Sequence, residues 1–205
     1  MEIEAKFIVS DEATLQRLLE MRELGGFRLE PGPTRQVTDS YRDTANRAIH
    51  RGGYACRIRR QDDEQIGTLK GLGRAEGAVH ERLQDEVVLD AGEAPADWPA
   101  SPARKLALAL SQGESLIELF SLSQQRHTRT IHAGDRQVAE LSLDVVEMHI
   151  GDELKTTFEV EAELAPDGTP DDLALMVADL RDKWQLQPQP RSKFEQGLAA
   201  LNVGG

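Results

Sequence analysis

Charged and apolar residues alternate strictly at the start of the chain, and this pattern constrains the fold more than any other feature of the sequence. In the segment Glu2–Val9, charged residues occupy positions 2, 4 and 6, and apolar residues occupy positions 3, 5 and 7. Successive side chains of a β-strand point to opposite faces, so this segment predicts a strand with one apolar and one charged face. The same alternation returns in segments 139–145 and 158–163. It favours an antiparallel sheet over a helical protein.

Further strands and helices are predicted along the chain. Strand-like patterns occupy Gln36–Asp43, Tyr54–Gln61, Gln65–Leu69, Glu81–Leu89, Gln124–Ala133, Gln137–Ile150 and Leu154–Ala165. Helices are predicted after the capping residues Ser10, Ser101, Thr169 and Ser192. Gly25 and Gly26 should end the first helix, and helical spacing in the second continues to Ile117. This order of elements predicts an antiparallel sheet that is closed or nearly closed.

Composition limits the partners and the compartment. The chain has 24 Lys and Arg against 36 Asp and Glu, a net charge of −12, so we expect neither nucleic acid nor a membrane as partner. The longest apolar run, Leu106–Leu110, is far shorter than the roughly 20 residues of a membrane-spanning helix. The acidic N-terminal segment does not resemble a secretory signal, and the single cysteine, Cys56, excludes an internal disulfide. We therefore expect a cytoplasmic protein, and a homodimer stays open.

The charged faces of the predicted strands differ in sign. Acidic residues dominate the first strand and the last two, whereas Arg57 and Arg59 share a face of the third, and Arg126 and Arg129 cluster in the sixth. One such strand alone is typical of a solvated sheet face. However, glutamates at 159, 161 and 163 repel one another unless a positive group lies among them. If the sheet curls with these faces inward, it encloses a polar tunnel with an acidic wall and a basic wall.

A tunnel of this kind suits a polyphosphate bound together with a divalent metal. Arg and Lys bind phosphate oxygens, and Arg does so through bidentate pairs. Mg²⁺ and Mn²⁺ prefer carboxylate oxygens and commonly bridge to phosphate. Acids and bases in one cavity conflict for a neutral ligand, but they are complementary for a metal–polyphosphate complex.

Several motifs resemble those of the CYTH superfamily, the triphosphate tunnel metalloenzymes. Residues 2–6, Glu-Ile-Glu-Ala-Lys, resemble its ExExK signature, residues 41–44 resemble its Tyr-x-Asp-Thr motif, and residues 57–59 resemble its Arg-x-Arg motif. In the family's order follow Lys70, the segment Arg82–Glu86, Arg126, Asp144, the segment Glu159–Glu163 and Ser192-Lys193. Gln84 departs from the pattern, which usually has glutamate there. The proline-containing insert near residues 91–103 is most similar to that of bacterial inorganic triphosphatases.

This resemblance implies an α+β fold in which eight antiparallel strands form a β-barrel, the triphosphate tunnel, with flanking helices in a single domain over residues 1–205. It also implies Mg²⁺ or Mn²⁺ as cofactor and a small-molecule triphosphate as substrate. The implied metal ligands are Glu2, Glu4, Asp144, Glu159 and Glu161. The implied substrate-binding residues are Lys6, Arg57, Arg59, Lys70, Arg82, Arg126 and Lys193. The implied catalytic residues are Glu4, Lys6 and Tyr41.

The resemblance predicts an inorganic triphosphatase that hydrolyses tripolyphosphate to diphosphate and phosphate. A class IV-type adenylate cyclase, a thiamine-triphosphatase and a non-catalytic polyphosphate- or nucleotide-binding module stay open. A cyclase needs a pocket for adenine, and no stacking platform is evident among five Phe, two Trp and two Tyr. In the ligand-free protein we expect the guanidinium groups of Arg57 and Arg59 to repel each other.

Overall fold

Residues 1–203 of the computed structural model are described, and they contain twelve strands and five α-helices. The last two residues of the predicted domain 1–205 lie outside the described residues. The strands are β1 (Glu2–Val9), β2 (Glu23–Leu24), β3 (Phe27–Asp43), β4 (Tyr54–Gln61), β5 (Glu64–Gly71), β6 (Arg74–Glu76), β7 (Val79–Arg82), β8 (Gln84–Leu89), β9 (Ile117–Ala133), β10 (Arg136–Ile150), β11 (Glu153–Leu164) and β12 (Gln187–Pro188). The helices are α1 (Glu12–Leu19), α2 (Ala48–Arg51), α3 (Pro102–Ser111), α4 (Pro170–Ala178), which continues as one π-helical turn, and α5 (Lys193–Val203).

All strands belong to one antiparallel sheet with the order β6-β7-β1-β11-β10-β9-β3-β4-β5-β8, with β12 on β1 and β2 on β3. The hydrogen-bonded ladder is not closed, which differs from the expected eight-stranded barrel. One predicted strand is split at Leu83 into β7, which pairs with β1, and β8, which pairs with β5. Leu83 itself accepts a backbone hydrogen bond from Gly71, at the end of β5. The sheet is therefore strongly curled, and β1 and β5 approach each other across its inner side.

The alternation seen in the sequence separates an apolar outer face from a charged inner face. Apolar residues of β1, β10 and β11, among them Phe7, Leu141 and Val160, form a core with α1 and α4. A second core places α3 and Trp98 against the outer face of β4 and β5. Burial of each large apolar side chain contributes roughly 1.5–3 kcal/mol to stability. No helix within residues 1–203 has the length and apolar character needed to cross a membrane.

Several predicted boundaries are confirmed. β1 and β4 have the predicted limits, and Ser101 and Thr169 cap α3 and α4 through their side chains. The predicted capping box of α5 is present, because the Ser192 backbone N–H donates to Glu195 Oε2 and the Glu195 N–H donates to Ser192 Oγ. This cap fixes the first turn of α5.

Other boundaries differ for local reasons. Asp11, not Ser10, caps α1, because its side chain accepts a hydrogen bond from the Thr14 N–H. The helix ends at Leu19, before the predicted glycines. α3 ends at Ser111 instead of continuing to Ile117, because Gln112 adopts a left-handed conformation.

Two strands are longer than predicted. β3 and β9 pair along nearly their whole length, with a register shift between Pro31 and Thr34. A Cβ atom on Gly32 would lie 2.5 Å from Thr128 Oγ1 of β9, so the close approach of the two strands requires glycine there.

Candidate functional site

A cavity of about 240 Å³ lies on the inner side of the curled sheet and is lined by strands from both ends of the ladder and by α5. The predicted site residues on its wall are Glu2, Glu4, Lys6, Tyr41, Arg57, Arg59, Lys70, Arg82, Arg126, Glu161 and Lys193. Asp144 and Glu159 lie behind this wall and are buried. The curl of the sheet therefore brings together all the predicted substrate-binding residues.

Lys193, in the first turn of α5, points into a group of carboxylates from β10 and β11. Its Nζ lies 2.8 Å from Glu161 Oε1, 3.0 Å from Asp144 Oδ2 and 3.3 Å from Glu159 Oε2. These contacts raise the pKa of the Lys193 ammonium well above its usual value, although burial opposes this. The lysine therefore stays charged and acts as counter-ion to three acids.

Arg126 and Lys6 complete this network. Arg126 binds Asp144 through two hydrogen bonds of 2.8 and 2.6 Å and Glu161 through a third of 2.8 Å. Lys6 Nζ lies 2.5 Å from Glu161 Oε1 and 2.9 Å from Glu4 Oε2. Burial opposes ionisation of Glu161, but the neighbouring cations hold its pKa well below the usual range. Arg129, by contrast, donates to the backbone carbonyl of Leu19.

Arg82 and Lys70 meet at Glu2. Arg82 Nε lies 2.6 Å from Glu2 Oε2, and its Nη2 contacts Glu4. Lys70 Nζ donates to Glu2 Oε1 at 2.8 Å. Burial and the charge of Arg57 lower the pKa of Lys70 to about 8, against the opposing effect of Glu2. Lys70 is therefore the cation in this cavity that loses its proton most easily.

Arg57 and Arg59 share the inner face of β4, as predicted, but they are held differently. Arg59 forms two hydrogen bonds of 2.8 Å with the carboxylate of Asp39 on β3. Arg57 Nη2 contacts Thr68 Oγ1 and Glu86 Oε1, both at 3.3 Å, and its buried Nε has no partner among the described residues. The expected mutual repulsion of the two arginines is thus relieved by a buried carboxylate between β3 and β4.

Asp39 is a buried carboxylate beside the cavity that the sequence reasoning missed, and it binds Arg59. It is fully buried, and its only sequence signal is its position two residues before Tyr41, on the same face of β3. Tyr41 stacks on Phe120, with ring centroids 4.9 Å apart, and lies 5.6 Å from the ring of Phe194. Burial and the charge of Asp39 raise the pKa of the Tyr41 hydroxyl, so it is protonated at neutral pH and can donate a hydrogen bond.

Three further acids face the cavity: Glu86, which contacts Arg57, Glu140 and Glu163. Glu163 lies opposite Glu4 in the β1–β11 ladder and opposite Glu140 in the β10–β11 ladder. Loss of hydration, together with the charges of Glu2 and Glu4, raises the pKa of Glu163 to about 7. This carboxyl group exchanges a proton near neutral pH.

Acids and bases are interleaved, so the expected division into one acidic and one basic wall is wrong. Each predicted metal ligand contacts at least one Lys or Arg side chain. Within residues 1–203, no group of three or more His, Cys, Asp or Glu side chains is placed to hold a metal ion. The donor chemistry nevertheless fits Mg²⁺ or Mn²⁺, because the acids supply hard oxygen atoms. The buried Glu159 Oε2 has an ion-pair contact of 3.3 Å with Lys193 Nζ but accepts no hydrogen bond among the described residues.

Solved structures of several proteins share this fold. HpAC1 from Hippeastrum, a proposed adenylyl cyclase with a dominant triphosphatase activity, is 18% identical, with a TM-score of 0.63 over 100% of this chain and 96% of that one. A proposed adenylate cyclase from Bacillus halodurans is 20% identical, with a TM-score of 0.63 over 96% of both chains. The Mimivirus capping enzyme triphosphatase is 11% identical, with a TM-score of 0.50 over 87% of both chains.

Identities this low establish a common fold and nothing finer. The sequence itself gives the family, because the model of the CYTH domain matches residues 1–183, most of the chain. The match begins at the acidic alternating strand β1 and extends beyond β11, so it includes all the predicted site residues except Lys193. The chain therefore belongs to the CYTH domain family.

Proposed function

We propose that this chain is a metal-dependent triphosphatase whose preferred substrate is inorganic tripolyphosphate, hydrolysed to diphosphate and phosphate. The observation that carries the proposal is the concentration of cations in one enclosed space. Lysine and arginine side chains from β1, β4, β5, β7, β9 and α5 line a single cavity of about 240 Å³. Because carboxylates line the same cavity, it favours a compact polyanion that binds together with a divalent cation.

The size and the aromatic residues of the cavity support a phosphate chain without an organic group. Pockets that hold drug-sized ligands measure about 300–1,000 Å³, more than this cavity offers. Tyr41 and Phe194 reach the wall, but both are buried and pack against each other and Phe120. Neither ring offers an open face to a purine or to the rings of thiamine, which favours an inorganic triphosphatase over an adenylate cyclase or a thiamine-triphosphatase.

The proposed metal ligands are Glu2, Glu4, Asp144, Glu159 and Glu161, which would hold Mg²⁺ or Mn²⁺. Bound there, a divalent ion would neutralise phosphate charge and increase the acidity of a water molecule. Arg57, Arg59, Lys70, Arg82, Arg126 and Lys193 would bind the phosphate oxygens and stabilise negative charge on the leaving diphosphate. To do so, several of these cations would exchange a carboxylate partner for a phosphate.

Glu4, Lys6 and Tyr41 are the proposed catalytic residues. Lys6 contacts Glu4 and would bind a phosphate oxygen next to the water that attacks phosphorus. The water proton would pass to a carboxylate of β1 or β11, either Glu4 or its cross-strand neighbour Glu163. A carboxyl group with a pKa of about 7, as at Glu163, suits this transfer near neutral pH. Tyr41, protonated at this pH, would donate a hydrogen bond to the phosphate chain.

We also propose that the curled sheet works as an eight-stranded tunnel within a single CYTH domain over residues 1–205. Counting β7 and β8 as one strand, and leaving out the short strands β2, β6 and β12, gives eight strands. Lys193 lies beyond the family match at residue 183 but contacts Glu161 on the cavity wall and Asp144 and Glu159 behind it. The C-terminal helix is therefore proposed as part of the same functional unit.

Phosphate release from tripolyphosphate, ATP and thiamine triphosphate, each with Mg²⁺ or Mn²⁺, tests the proposal. We expect the highest kcat/KM with tripolyphosphate and no turnover in EDTA. Glu161→Gln should lose at least about 100-fold in kcat, whereas Glu153→Gln, an exposed glutamate of the same strand, should match the wild type. Cyclic AMP formed from ATP would favour the cyclase, and absence of turnover with tight tripolyphosphate binding would favour a binding module.

A further inference from the structure

Asp39 lies behind the cavity wall, where a carboxylate has no access to water or to ligand. Its side chain is fully buried. Oδ1 accepts a hydrogen bond from Arg59 Nε, and Oδ2 accepts one from Arg59 Nη2 and one from Gln124 Nε2, each at 2.8 Å. Arg57 Nη1 is 3.8 Å from Oδ2. One carboxylate thus links both arginines of β4 to a glutamine of β9.

The contact with Arg59 is made along one edge of its guanidinium group. Nε and Nη2 are both used, and no acceptor in the described part of the chain bonds to Nη1. The Arg59 side chain also lines the cavity. A planar group held at two points cannot rotate about its long axis, so its remaining donors keep a fixed direction. Such fixed donors bind phosphate without losing much side-chain entropy.

The same carboxylate reduces the charge repulsion within the arginine pair. Residues two apart on a strand lie about 6.6 Å from each other, so Arg57 and Arg59 place two positive groups side by side. Burial opposes ionisation of Asp39, but Arg59 and then Arg57 hold its pKa far below the usual range. Asp39 is therefore negatively charged at every pH at which the protein would work.

We propose that Asp39 is a positioning residue for the substrate: it holds Arg59 in the orientation that binds the phosphate chain. This role rests on the proposed function of the cavity. It differs from that of a simple counter-charge in one respect. A counter-charge behind the wall weakens anion binding, so its removal would tighten binding, whereas loss of a positioning residue weakens binding.

Asp39→Asn separates the two roles because it keeps the size of the side chain. It replaces one carboxylate oxygen with an amide NH2 group, which cannot accept a hydrogen bond from Arg59. We expect tripolyphosphate binding, measured by calorimetry without metal, to weaken about tenfold or more, the loss of a charged hydrogen bond. KM should rise by a similar factor, with kcat within about threefold. Asp62→Asn is the matched control, since Asp62 is exposed and pairs with Arg35.

A double-mutant cycle tests whether the effect passes through Arg59. In an Arg59→Gln background, Asp39→Asn should change tripolyphosphate affinity less than about twofold, because the oriented group is already absent. If Asp39→Asn fails to fold, Gln124→Met removes one donor to the same carboxylate without changing charge, and a smaller loss of affinity is expected.

Unchanged or tighter binding in Asp39→Asn would overturn the inference, as would an equal loss in the Arg59→Gln background. If only Gln124→Met is available, wild-type affinity in that variant overturns it. Failure of the wild-type chain itself to bind tripolyphosphate would instead contradict the proposed function, so the two failures are distinguishable.

Discussion

The two sides of the cavity hold their cations in different ways. On the side formed by β1, β9, β10, β11 and α5, here the β11 side, Lys6, Arg126 and Lys193 each contact two or three carboxylates at 2.5–3.3 Å. On the side formed by β4, β5 and β8, here the β5 side, Lys70 has one carboxylate and Arg57 has contacts of 3.3 Å or more among the described residues, whereas Arg59 is held at 2.8 Å by the buried Asp39 of β3.

This difference indicates that the two sides contribute differently to the binding of a metal–polyphosphate. The β11 side concentrates carboxylates, so it needs internal cations when no divalent metal is bound. The β5 side has fewer acids, and the buried Arg57 Nε donates to no acceptor among the described residues. A donor left unpaired in this way is available to a phosphate oxygen at little cost. We therefore expect the β11 side to dominate stability and the β5 side to dominate phosphate affinity.

The largest predicted effect is on stability, and it compares a lysine from each side. Lys193→Met leaves Asp144, Glu159 and Glu161 with one fewer cation, and removing one partner of a buried ion pair costs about 3–5 kcal/mol. Lys70→Met should change the unfolding free energy by less than about 1 kcal/mol, because Glu2 keeps Arg82 as partner and burial of Lys70 already disfavours its charge. Urea unfolding at pH 7.5 measures both.

Lys155→Met, a substitution of an exposed lysine on β11, controls for the loss of one positive charge. Equal destabilisation by Lys193→Met and Lys70→Met would contradict the division between the two sides. Mn²⁺ should restore part of the stability lost in Lys193→Met if the freed carboxylates bind it.

Much of this comparison follows from the sequence, because strict alternation determines which side chains face inward. The face of Glu2, Glu4 and Lys6, and that of Glu159, Glu161 and Glu163, are as the alternation predicts. Pairing between strands is a different matter, since it depends on register and on the curl of the sheet. Nothing near Asp39 in the sequence shows that its partner is Arg59, twenty residues later.

The same limit explains why separate acidic and basic walls were expected. Strands rich in one charge were identified correctly, but antiparallel pairing places Lys6 directly opposite Glu161 and Arg126 directly opposite Asp144. The break at Leu83 also lies inside the segment Glu81–Leu89, which was predicted as one continuous strand. The structure explains the break, because the residues before Leu83 pair with β1 and the residues after it pair with β5.

The second prediction uses pH to examine the β5 side. The pKa of Lys70 is about 8 in the folded protein, whereas the ordinary pKa of a lysine is 10.5. Between these values the unfolded chain binds a proton that the folded chain has lost, so the unfolding free energy should rise with pH. Relative to Lys70→Met, the wild type should gain up to about 3 kcal/mol between pH 8 and 10.5.

Unfolding curves of both proteins at three pH values in this window measure the gain. A constant difference between wild type and Lys70→Met would show that the folded protein does not disfavour the charge of Lys70. The β5 side would then resemble the β11 side, where the pKa values of Lys6 and Lys193 are raised.

The smallest predicted effect comes from making the β5 side resemble the β11 side. Gln84 lies opposite Lys70 in the β5–β8 ladder, and its buried Oε1 has no partner among the described residues. Gln84→Glu gives Lys70 a second carboxylate, which should raise the pKa of Lys70 and remove most of the stability gain between pH 8 and 10.5. The net stability change at pH 7.5 should stay below about 1 kcal/mol, because desolvation of the new charge offsets its attraction to Lys70.

The same variant should bind tripolyphosphate several-fold more weakly, because the new acid competes with phosphate for Lys70 and repels it. Gln65→Glu, at the other end of β5, adds the same charge away from the cavity wall and serves as control. If Gln84→Glu leaves the pH dependence and the affinity of the wild type intact, Lys70 does not respond to its cross-strand neighbour. The lowered pKa of Lys70 would then come from burial and from Arg57, and the absence of a charge at position 84 would contribute nothing to phosphate binding on the β5 side.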